Sequence, residues 1–148
     1  MTTPAAGRIL ALDLGTRTIG LAVSDETQTI AQPLRTILRQ PQGYHRDLAA
    51  IRSVVEELEV ALIVVGLPLT LDGNWGTQAR RAARFAETLH EHLGLPVALQ
   101  DERLTTCEAE EYLKEGGVRR ADWKQHVDAL AASLILRDFL AGRQTASP

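Results

Sequence analysis

The chain has 148 residues, 45% of them hydrophobic and 24% charged, with a formal net charge of −3. That length suits one domain with a substantial core, and the balance is that of an ordinary globular protein without the overall basic field of a dedicated nucleic-acid binder. A single cysteine, Cys107, excludes an internal disulfide framework and a cysteine zinc cluster. No apolar run approaches the length of a membrane span and no charged leader precedes one, so the expectation is a cytoplasmic protein that does not cross a membrane.

In chain order, residues 1–7 and 142–148 are small and polar and are expected to be flexible, leaving 8–141 as a single domain. Residues 8–14 and 18–25 read as strands, and Gly15-Thr16-Arg17 is short enough to join them as a hairpin. A third strand near 29–38 carries Pro33, which cannot donate to a ladder and so places it at a sheet edge. The period then changes. Leu48, Ile51, Val54, Val55 and Leu58 are spaced for a helix, and "VALIVVGLP" is continuously apolar, as expected of a central strand covered on both faces. A helix over "GTQARRAARFAETLHEHLG" stops at Gly94, and "LPVALQDE" is a further strand. Thr105 and Glu108 have capping-box spacing for a helix reaching Gly116-Gly117, and Asp122 and Gln125 repeat that spacing before a last helix. Three meandering strands followed by alternating helices and strands predict an α/β domain with a mixed sheet, antiparallel at first and parallel later.

Three acids stand at apolar positions. Asp13 ends an apolar strand, Glu102 ends "PVALQDE", and Asp128 lies on the last helix within a turn or two of Ala131, Ala132 and Ile135. If they converge, their repulsion must be relieved by something positive, and oxygen-only donors from separate elements favour Mg²⁺ or Mn²⁺. Taken singly, each acid also suits a purely structural place: Asp13 as a cap for the turn at Gly15, Glu102 as a partner of Arg103, Asp128 as a solvated complement to its helix dipole.

Cations are strongly biased, with 14 Arg against 2 Lys, and Arg suits phosphate oxygens. Arg80, Arg81 and Arg84 fall in an acid-free stretch, with Arg80 and Arg84 on one helical face; Arg119, Arg120 and Lys124 form a second cluster, and Arg17 stands beside Asp13. These are the candidate nucleic-acid contacts, joined by Trp75, whose ring suits base stacking or the packing of its loop. Gly15, Gly66 and Gly73 are candidate backbone turns near the acids.

The segments "LALDLGTRTIGLAVSD", "IVVGLPLTLDGNWGTQA", "DERLTT" and "VDALAASLIL" resemble the four signature blocks of the YqgF (RuvX-like) family of Holliday-junction resolvases, within the ribonuclease H-like superfamily. The resemblance spans residues 8–141. It implies a five-stranded ribonuclease H-like mixed sheet flanked by helices, and a metal-dependent nuclease with its acidic triad at Asp13, Glu102 and Asp128. It also implies a role in maturing the precursor of small-subunit ribosomal RNA. Phosphodiester hydrolysis by two metals about 4 Å apart would then place Asp13 as the bridging ligand, because its strand is central. Resolving a four-way DNA junction would call for a homodimer, since paired nicks need two sites. Two other functions suit parts of the pattern: a non-catalytic nucleic-acid or ribosome-assembly module, and an ATP-binding protein of the actin-like superfamily, which "LDLGT" also resembles. The second would need another domain to close its cleft.

Overall fold

The structure, a computed structural model, describes residues 7–39, 44–102, 105–119 and 123–146. Strands β1 (Arg8–Leu14), β2 (Thr18–Ser24) and β3 (Ala31–Leu38) are followed by helix α1 (Tyr44–Leu58), strand β4 (Val60–Leu67), helix α2 (Thr77–Leu93), strand β5 (Val97–Asp101), and helices α3 (Thr105–Glu115) and α4 (Trp123–Ala146). They form a five-stranded sheet in the order β3-β2-β1-β4-β5. The β1–β2 and β2–β3 pairs are antiparallel, whereas β1–β4 and β4–β5 are parallel. This is the α/β mixed sheet expected, with the meander at one side and the crossovers at the other.

Each strand's residue types account for its place. β1 and β4 are the central strands, and Ile9 to Leu12 and Leu62 to Val65 are buried on both faces. β3 is an edge strand, as Pro33 requires, and the β2–β3 register shifts between Leu21 and Ala22, opposite that proline. It begins at Ala31 rather than near 29, because Thr29 and Ile30 are taken up in the hairpin turn, where both backbone N–H groups donate to Asp25 at 2.8 Å.

Two apolar layers sandwich the sheet. On one face Leu10, Leu12, Ile19, Leu21, Ile63 and Val65 pack against α1 and α2, whose Leu48, Ile51, Val54, Phe85 and Leu89 fall at helical spacing. On the other, Ile9, Ala11, Ala22, Leu62 and Val64 meet Ala132, Ile135, Leu136 and Leu140 of α4. The side chains on this second face are smaller, which lets α4 lie close to the strands. α3 packs on the outer side of α4 through Ala109, Ala131 and Leu134. α2 stops at Gly94, whose φ of 71° is left-handed and whose N–H caps His90 O. α4 runs on to Ala146, past the domain boundary expected at 141. Asp122, expected to open α4, lies outside the described residues. Among the described residues no helix is long and apolar enough to cross a membrane.

Candidate active site

Parallel pairing of β1, β4 and β5 brings their carboxyl ends to one edge of the sheet. Asp13 follows Ile9 and Ala11 on the face covered by α4, one residue from the end of β1. Glu102 comes directly after β5, and its N–H donates to Leu67 O at the end of β4 over 3.1 Å. Asp128 lies on α4, where it meets β2: Thr18 Oγ1 donates to Asp128 Oδ2 over 2.6 Å. Residues separated by more than a hundred positions are thus gathered at one corner.

The electrostatics show how close these acids stand. Burial pushes the Asp13 carboxyl up from 3.8 to about 6; a hydrogen bond with the Glu102 side chain pulls it back, and the charge of Asp128 raises it again. Asp13 therefore senses both other acids. Among the described residues no group of three His, Cys, Asp or Glu side chains is arranged as a ready-made metal cage. Asp128 is held by the Thr18 hydroxyl while Asp13 and Glu102 are held on each other. The donor chemistry nevertheless suits a hard divalent cation: three carboxylates from separate parts of the chain, one of them held by burial above the usual carboxylate range.

The close fit of α4 on β2 depends on Gly20, the residue paired with Asp13. A Cβ there would lie 2.0 Å from the Asp128 carbonyl oxygen and 3.0 Å from Ala129 N. Any side chain at position 20 would lift α4, and Asp128 with it, off the sheet.

The turn before β2 is held from two sides. Gly15 N–H donates to Thr18 O over 2.8 Å, and Gly15 O accepts from Arg39 Nη1 over 2.7 Å. Arg39 also donates through Nε to Asp47 Oδ2 over 2.9 Å, and its guanidinium lies 5.8 Å from the Phe85 ring centroid. Asp47 is only 3% exposed, so Arg39 is its counter-charge as well as the clamp on the Gly15 turn. One arginine thus ties β3, α1, α2 and the Asp13 hairpin together.

The other candidate residues are distributed as follows. Gly66 is not a turn residue; it lies inside β4. Gly73 does occupy a turn, with φ 87° and its N–H donating to Thr70 O over 2.8 Å. Thr70, Asp72 and Asn74 knit that loop through their side chains, and Trp75 at its end is about half exposed. α2 starts just beyond, so Arg80 and Arg81, at the end of its first turn and the start of its second, lie nearer the acidic edge of the sheet than Arg84, a turn further on; all three are exposed. Arg17 is exposed in the β1–β2 turn and Arg119 is exposed after α3. Arg120 and the side chain of Lys124 lie outside the described residues. Arg80, Arg81 and Arg84 thus lie on α2, which covers the sheet face opposite α4, and Arg119 lies in the segment that follows α3.

Sequence reading missed Thr18, Gly20, Arg39 and Asp47. A lone glycine amid "TIGLAVS" could have signalled a close backbone approach. Nothing local marks the other three.

The family model described as "RuvX: Holliday junction resolvase" matches residues 7–142. A protein of Koribacter versatilis named "Putative pre-16S rRNA nuclease" is 48% identical over 145 residues, covering 97% of this chain and 94% of that one. A protein of the same name from Lachnospira eligens is 44% identical, covering 93% and 99%. Among solved structures, T. thermophilus RuvC in complex with Holliday junction substrate superposes with a TM-score of 0.61 at 18% identity, over 95% of this chain and 98% of that one. The fowlpox virus Holliday junction resolvase does so with a TM-score of 0.56 at 12% identity, over 95% and 99%. At these identities the structural likeness establishes a shared fold.

Proposed function

The chain belongs to the RuvX family of Holliday junction resolvases, and from that premise we propose that it is a divalent-metal-dependent nuclease whose metal-holding residues are Asp13, Glu102 and Asp128. The observation that carries this reading is the corner where the three acids meet, with the Asp13 carboxyl raised to about 6 by burial, against the pull of Glu102 and with the charge of Asp128 adding to it. Carboxylates gathered this closely are costly in a folded protein, and a binding module gains nothing from them.

Bound Mg²⁺ or Mn²⁺, two ions in our reading, would supply an activated water, a polarised phosphorus centre and charge for the leaving oxygen. The protein's part is positioning. Asp13, on the central strand between β2 and β4, holds the middle of the site, with Glu102 to one side and Asp128 to the other. Thr18 fixes the orientation of Asp128, and Arg39 fixes the turn through which the chain leaves Asp13. Arg17, Arg80, Arg81, Arg84 and Arg119, with Arg120 and Lys124, grip backbone phosphates, and Trp75 stacks on a base.

Two substrates follow, from the family description and from the names of the relatives: four-way DNA junctions and the precursor of 16S ribosomal RNA. The same acids serve both, and both substrates go with a cytoplasmic location. On a junction the chain would act as a homodimer, because paired nicks in strands of like polarity need two sites related by a two-fold axis. The test sets a four-way junction and a precursor-RNA fragment side by side, with Mg²⁺ and with Mn²⁺. Wild-type protein cleaves at least one and Asp13→Asn cleaves neither. Full turnover by Asp13→Asn, or no cleavage of either substrate by the wild type with metal, removes the reading.

A further inference from the structure

Gly66 interrupts a strand that is otherwise rich in Val and Ile, one step beyond the Leu12–Val65 pair and so alongside Asp13. Glycine weakens a strand interior, and here its φ is not in the left-handed region that would require it. The space around it supplies the reason. A Cβ at position 66 would lie 2.6 Å from Ile135 Cδ1, 2.8 Å from Glu102 Cδ and 2.8 Å from Glu102 Oε1. The notch left by the missing side chain is filled by the end of the Glu102 side chain. At such distances the neighbour must give way, and the atoms that would move are the ends of the Glu102 and Ile135 side chains rather than backbone.

We propose that Gly66 is a positioning residue, matched to the length of Glu102, which lets the carboxylate of that acid fold over β4 to reach Asp13. The proposal rests on the nuclease reading above. An alanine at 66 must expel the carboxylate from the notch, whereas an aspartate at 102, one methylene shorter, withdraws its carboxylate from the clash. The two positions are coupled sterically, and the sign of the Glu102→Asp effect should depend on position 66.

Ile135 Cδ1 would also collide with a new Cβ, so the test is built on Ile135→Val, which removes that atom and leaves the carboxylate contact alone. In that parent we compare Gly66→Ala, Glu102→Asp and the two together. Metal-free protein is titrated with Mn²⁺ by calorimetry, unfolded with urea in EDTA, and assayed on a four-way junction with Mn²⁺. Gly66→Ala is expected to leave a cooperative fold while lowering Mn²⁺ affinity at least tenfold and cleavage at least a hundredfold. Glu102→Asp lowers both in the parent but raises both at least several-fold in the Gly66→Ala background. A folded Gly66→Ala protein with the parent's Mn²⁺ affinity overturns the proposal. So does a Glu102→Asp change that is equally damaging in both backgrounds. A wild-type protein that neither binds Mn²⁺ nor cleaves overturns the nuclease reading instead. The steric match is then read from urea midpoints in EDTA, where Glu102→Asp should recover stability lost to Gly66→Ala; additive midpoints overturn it too.

Discussion

Replacing Asp13 by Asn should stabilise the metal-free protein near neutral pH while abolishing cleavage. The Asp13 carboxyl sits at about 6 in the folded protein against 3.8 in a free side chain, mainly because of burial. A raised value means that the folded state holds the proton more tightly than the unfolded state does. Stability is therefore greatest below about pH 4, falls as pH rises through the window between 3.8 and about 6, and stays reduced above it. At roughly 1.4 kcal/mol per pH unit, ionised Asp13 costs at most about 3 kcal/mol at pH 7.5. Asparagine carries no charge to desolvate and can still hydrogen-bond Glu102. For a domain of this size the variant should melt up to about 6–10 °C higher than the wild type at pH 7.5 in EDTA, with the difference vanishing near pH 4. Adding Mn²⁺ at about a thousandfold excess over Kd should reverse the order, because a ligand that binds only the folded wild type stabilises it there by about 4.1 kcal/mol, more than the ionised carboxylate costs. Scanning calorimetry at several pH values, with and without Mn²⁺, reads all of this. A difference between the two proteins that is the same at pH 4 and pH 7.5 would show that Asp13 is not desolvated in the way its burial implies.

Arg39→Leu strands the buried Asp47 carboxylate and should destabilise the protein by about 3 kcal/mol in urea unfolding, whereas Arg39→Leu combined with Asp47→Leu should recover part of that loss; an unchanged midpoint in the single variant would show that the pair carries no weight. Thr18→Val keeps the shape of the side chain but removes the hydroxyl that orients Asp128. It should cost about 1–2 kcal/mol of stability and lower kcat with little change in KM, and wild-type kcat would remove Thr18 from the positioning role. Arg80→Ala, Arg81→Ala and Arg84→Ala together should weaken nucleic-acid binding alike across sequences. The log–log salt slope should flatten by about 0.7–0.9 per lost phosphate contact, and an unchanged slope would take α2 out of the contact surface.

The local chemistry of the chain determined most of the architecture. Alternation and apolar runs placed the strands, helical spacing placed α1 and α2, Pro33 assigned β3 to an edge, and Gly94 ended α2, because each of these is a constraint acting over a few residues. The three acids were legible for the same reason: a carboxylate in an apolar stretch is anomalous wherever the rest of the chain goes. What they do to one another was not legible. The contact of Asp13 with Glu102, the grip of Thr18 on Asp128 across 110 positions and the Arg39–Asp47 clamp join elements whose proximity is set by sheet order and by the path of α4. Gly66 shows the boundary most sharply. Read locally it is a turn former at the end of an apolar run; in the fold it is a strand residue whose missing side chain is occupied by the Glu102 carboxyl and Ile135. A glycine is visible in a sequence, but the atoms that fill the space it leaves come from the residue that follows β5 and from α4, and only the packing of these elements on β4 brings them there.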